Sequence, residues 1–165
     1  QSHYNYVFDS ITKTYNFTTK NNILYRVAFI VDDTFTEISG QNITNVYQII
    51  VEKANEEIEP FDKRVSKTIE DIIEKFFKNI ENSLIYVCSE DDEKGKLRFE
   101  VFDRWYKKSK YKKQIIKIDN VIEFKTTESI SDKIYTSFMF HRANSNFEKL
   151  IETYNRIEHI LNGEK

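Results

Sequence analysis

The hydrophobic pattern of this chain changes period near residue 54, and that change constrains the fold more than any other feature. Up to that point apolar residues alternate with polar ones, as in strands with one covered face. Tyr4, Tyr6 and Phe8 alternate with Asn5 and Val7, and Asp9-Ser10 then starts a turn. Tyr15 and Phe17 resume the pattern until Asn21-Asn22 breaks it. Over 23–31, Tyr25, Val27, Phe29 and Val31 share one face while Leu24, Ala28 and Ile30 share the other. Two apolar faces mark a central strand. After a polar connection through Gly40, Tyr47, Ile49 and Val51 alternate with Gln48 and Glu52. Short connections make a four-stranded antiparallel meander the simplest topology.

Beyond Pro60 the spacing becomes three and four. Val65, Ile69, Ile72, Ile73, Phe76, Phe77 and Ile80 form the apolar stripe of an amphipathic helix. Ser83–Cys88 reads as a buried strand and Asp92–Ser109 as a second helix, with Leu97, Val101, Phe102, Trp105 and Tyr106 on one side. Its acidic start and lysine-rich end suit the helix dipole. Lys113–Phe124 reads as a strand bent or broken near Asp119-Asn120, paired in a hairpin with Ile134–Phe140. Ser145 and Glu148 form a capping box for a last helix carrying Phe147, Leu150, Ile151, Tyr154, Ile157 and Leu161. The expectation is one α+β domain spanning 1–165: a largely antiparallel sheet, built from the N-terminal meander plus later strands, with three helices packed on one face.

Composition supports ordered elements. The chain has 165 residues with three Gly and one Pro, which argues against linkers and glycine-rich phosphate loops. Thirteen Phe, ten Tyr and one Trp supply large surfaces for a core. The single cysteine, Cys88, has no partner for an internal disulfide, so a reducing, cytoplasmic compartment is the simpler reading. No segment reads as a signal peptide, and the apolar runs fall short of the roughly 20 residues of a membrane helix. Net charge is −2; residues 1–80 hold 9 basic and 12 acidic groups (−3), and residues 81–165 hold 16 and 15 (+1). No global nucleic-acid footprint results.

The most prominent local feature is the basic-aromatic run Arg104–Gln114. Arg104, Lys107, Lys108, Lys110, Lys112 and Lys113 surround Trp105, Tyr106 and Tyr111. Such lysines suit an acidic protein surface, or phosphates with a ring stacked on a base. The bland alternative is a solvated helix end with Trp105 in the core. The acidic groups 52–59 and 90–93 lack the ligand spacing of an EF-hand and read as solvated turns. Cys88 reads as a core thiol; as a nucleophile it would need a nearby base such as His141. Three scattered His without HxxxH or CxxC spacing give no zinc site. Glu123-Phe124-Lys125, with Asp119 or Asp103 as the further acid, is the one trace of a metal-dependent nuclease. P-loop, Rossmann, zincin and α/β-hydrolase motifs are absent from the sequence.

The stretches Ile23–Ile30, Asn45–Lys53, Glu59–Phe77, Glu81–Cys88 and Phe102–Tyr106 resemble a group of small uncharacterised bacterial proteins, a conserved hypothetical domain with no assigned activity. The resemblance implies one compact domain and a bacterial source, and carries over no catalytic residues. The resulting expectation is a non-enzymatic protein-binding or regulatory module of a bacterial cytosol, needing no cofactor or metal and having no membrane association. Its binding residues would be Arg104, Tyr106, Lys107, Lys108, Lys110, Tyr111, Lys112 and Lys113, and its partner another protein or a second copy of itself. The alternatives are a nucleic-acid-associated protein of a defence or toxin–antitoxin system and, behind it, the nuclease.

Overall fold

A computed structural model describes residues 2–54, 61–89, 95–125, 131–161 and 163; within these, the side chains of 88–89, 95, 97–98, 122–125 and 131–132 are not described. The elements are β1 (Val7–Asp9), β2 (Thr14–Thr18), β3 (Leu24–Val31), α1 (Thr34–Ser39), β4 (Val46–Lys53), α2 (Lys63–Phe76), β5 (Ser83–Ser89), α3 (Gly95–Lys108), β6 (Ile115–Lys125), β7 (Ser131–His141) and α4 (Phe147–Leu161). A turn of 3-10 helix, Lys110–Lys113, joins α3 to β6. Strand order is β1-β2-β3-β4-β5-β7-β6. The fold is α+β with a mostly antiparallel seven-stranded sheet, and the N-terminal four strands form the expected meander. β4 and β5 pair in parallel, with Val46 opposite Ser83 and Gln48 opposite Ile85.

Contacts group the chain into two compact units: Gln1–Ile30 with Ile49–Asn79, and Val31–Gln48 with Ile80–Lys165. In the first unit β2 pairs with β1 and β3, placing Phe17 beside Tyr25 and Tyr15 beside Val27. The Asp9 carboxylate receives the Ile11 and Thr12 N–H groups, which fixes the β1–β2 turn. α2 starts at Lys63, because Asp62 caps it by accepting the Arg64 N–H at 2.9 Å. It buries Ile72, Ile73 and Phe76, and Phe76 stacks on Phe29 at 4.2 Å. The helix ends earlier than its stripe: Ile80 lies beyond it and is 42% exposed. The strand expected from Tyr4 begins only at Val7. Tyr4 is instead held by α2: its N–H donates to Thr68 Oγ1 and its hydroxyl to Asp62.

In the second unit β5 pairs antiparallel with β7, and β7 with β6, in continuous registers. Pairing passes unbroken through Asp119↔Ser137 and Asn120↔Thr136, so the strand is not broken there. The polar pair interrupts the apolar alternation without interrupting the ladder, because Ser137 Oγ donates to Asp119 Oδ1 at 2.7 Å. Phe35 of α1, Ile85, Phe138 and Phe140 of the strands, and Leu150 and Tyr154 of α4 form one core cluster. Alternation places Tyr86, Tyr135, Ser137 and Met139 on the opposite face, where α3 packs Phe102 on Tyr86 at 4.1 Å and Phe99 on Tyr135 at 5.3 Å. Helices of this unit therefore cover both sheet faces, where the sequence suggested one.

α1 was not anticipated by periodicity. Asp33 precedes it and Gly40 ends it at φ 67°, donating its N–H to Thr36 O. Ser145 does not build the expected capping box: α4 begins two residues later, and the Ser145 N–H and hydroxyl both donate to Glu81.

Candidate functional site

α3 carries the basic run because its two sides have opposite tasks. Phe102 and Trp105 are buried toward the sheet, while Arg104, Lys107 and Lys108 are exposed. Ser109 then turns extended and accepts the Tyr111 N–H at 3.0 Å, starting the 3-10 turn. That turn leaves Lys110, Lys112 and Lys113 exposed and Tyr111 partly covered, with Lys110 Nζ 5.2 Å from the Tyr111 ring centre. Arg142, also exposed, donates Nε–H to Lys113 O at 2.9 Å. The sequence-predicted residues thus form one cationic ridge. Trp105 and Tyr106 are the exceptions among its aromatics. The Tyr106 hydroxyl is turned inward to Ile115 O at 2.7 Å, with Lys112 O at 3.2 Å, and burial pushes its phenol pKa above the usual value.

Beneath the ridge lies a charge network that sequence reading missed. Lys117 has a side chain only 2% exposed, and its ammonium donates to Asp103 Oδ1 of α3 at 3.3 Å and to Asp119 of β6. It also lies 5.2 Å from the Phe99 ring centre and 6.0 Å from that of Tyr106. Asp103 takes Lys107 Nζ on its other oxygen at 2.7 Å. The Lys107 hydrogen bond is the largest influence holding the Asp103 carboxyl below its ordinary range, and Lys117 adds to it. Asp103 and Asp119, considered as metal-binding acids from the sequence, are brought together on an ammonium. Glu123 and Lys125 lie on β6, but their side chains fall outside those described. Among the described residues no three His, Cys, Asp or Glu side chains gather as metal ligands.

Other candidates do not converge. Cys88 pairs with Tyr135 in the β5–β7 ladder, six residues along β7 from His141, or about 20 Å at strand rise. The acidic group 90–93 and most of 52–59 lie outside the described residues. A polar cleft lined by Ser39, Gln41, Lys149, Glu152, Thr153 and Arg156 holds about 40 Å³. That suits a water or two and is far below the roughly 300 Å³ of a small ligand pocket.

Fold and ridge define an α+β protein with a mostly antiparallel sheet and a basic helix end. Residues 61–156, more than half of the chain, match the model of a "Family of unknown function (DUF6169)", and the chain belongs to that family. The match runs from just before α2 into α4 and includes the ridge and the network beneath it. Searches of the curated proteins and of the solved structures found no match. No helix among the described residues is long and apolar enough to cross a membrane.

Proposed function

We propose that this chain is a non-enzymatic binding or regulatory module of a bacterial cytosol whose ridge takes an acidic surface of a protein partner. One observation carries the reading: Arg104, Lys108, Lys110, Lys112 and Lys113 are all exposed and none makes an ion pair with a described residue. A surface of one sign raises the encounter rate and selects partners of the opposite sign. An acidic protein fits better than single-stranded nucleic acid, which binds through several open aromatic faces. Here Trp105 is buried, Tyr106 is bonded inward, and the half-buried Tyr111 is left beside Lys110.

The test is affinity capture from a bacterial lysate with the natural chain and with a Lys108→Glu/Lys112→Glu/Lys113→Glu variant, each with and without nuclease, read by mass spectrometry. A stoichiometric acidic protein that survives nuclease and is lost from the variant is the expected result. Capture unchanged in the variant removes the ridge from consideration. Material lost on nuclease treatment replaces the protein partner with nucleic acid.

A further inference from the structure

The ridge stands over two carboxylates, Asp103 and Asp119, which would cancel part of its field. Both point at one buried ammonium. Lys117 joins α3 to β6 by charge, and β7 contributes Ser137, which donates to the same Asp119 oxygen. Counting the four charged groups of the network, Lys107 and Lys117 balance Asp103 and Asp119, so the network sums to zero. The network therefore cancels none of the charge of Arg104, Lys108, Lys110, Lys112 and Lys113, which make no ion pair with a described residue. Without Lys117, Asp103 would keep Lys107, but Asp119 would stand as a net negative charge beside the ridge.

We propose that Lys117 is a positioning residue for anion recognition: from beneath, its ammonium neutralises Asp103 and Asp119 and fixes α3 on β6, so that the exposed lysines present an unopposed positive surface. This rests on the ridge reading above. The expected size follows from one unit of charge a few ångströms from a bound anion at the protein surface, which changes affinity about threefold at low salt and less at physiological salt.

The experiment measures binding of a fluorescein-labelled poly-glutamate peptide by anisotropy at low ionic strength, with folding checked by circular dichroism. Lys117→Met should bind about threefold more weakly, and the double variant Lys117→Met/Asp119→Asn, which removes the orphaned carboxylate, should return to the affinity of the natural chain. A purely structural Lys117 would lower the melting temperature and leave affinity unchanged; that result, or failure of Asp119→Asn to restore binding, overturns the proposal. Should Lys117→Met not fold, Asp119→Asn alone decides: it should bind the peptide more tightly, and unchanged affinity overturns the proposal. The Lys108/Lys112/Lys113 charge reversal separates the two readings. If it abolishes binding while Lys117→Met does not change it, the positioning role falls and the ridge stands. If it changes nothing, the ridge reading itself falls.

Discussion

Two tyrosines of the second unit illustrate how single residues set local behaviour. Tyr106 sits in a run of lysines and reads as a contact residue, yet its hydroxyl is spent on the Ile115 carbonyl, where it ties the end of α3 to the start of β6. Tyr154 is buried in the core cluster, its hydroxyl 3.0 Å from Thr136 Oγ1. Burial pushes its pKa up to about 12, and the neighbouring Glu158 carboxylate acts in the same direction. An unfolded tyrosine ionises near pH 10. The folded state thus favours the neutral phenol, and the linked stability is fully present below about pH 10 and lost as pH rises towards 12. Alkaline unfolding followed by circular dichroism should show this loss in the natural chain and a shallower decline in Tyr154→Phe. Equal slopes would mean that Tyr154 does not control the alkaline limb.

At the scale of elements, capping and connection decide where helices stop and start. α2 owes its start to Asp62, which serves both the Arg64 N–H and the Tyr4 hydroxyl. α1 depends on its ends. It has six residues, too few for intrinsic helicity to sustain it. It persists because Phe35 is completely buried in the core cluster and Gly40 accepts the left-handed conformation that closes it. No atom lies near the place a Gly40 Cβ would occupy, so a substitution there is penalised by backbone conformation alone. Gly40→Ala should cost about 1 kcal/mol, read as a lower urea midpoint at constant m-value. A larger loss, or a changed m-value, would mean that the turn also takes part in packing.

For the molecule as a whole, charge is distributed rather than abundant. The net charge is −2, yet the ridge concentrates cations that lack ion-pair partners among the described residues. The chain should consequently be held by immobilised heparin at low salt despite its negative total. The Lys108→Glu/Lys112→Glu/Lys113→Glu variant should elute at clearly lower salt, and co-elution would show that the retention comes from elsewhere. The meander, the long helices α2 and α4, and the position of the basic run were legible in the sequence, since each depends on periodicity over a few neighbouring residues or on local composition. The short helix α1 left only a faint trace in Asp33 and Gly40, because its stability comes from the burial of Phe35. The pattern Ile116-Lys117-Ile118-Asp119 reads as a strand with one wet face, and by itself it determines that Lys117 and Asp119 share a side. Only the tertiary structure decided that α3 covers that side, since the strand order β5-β7-β6 brings together residues far apart in the chain. That long-range packing takes Lys117 out of water, and an ammonium out of water must have its carboxylates close by.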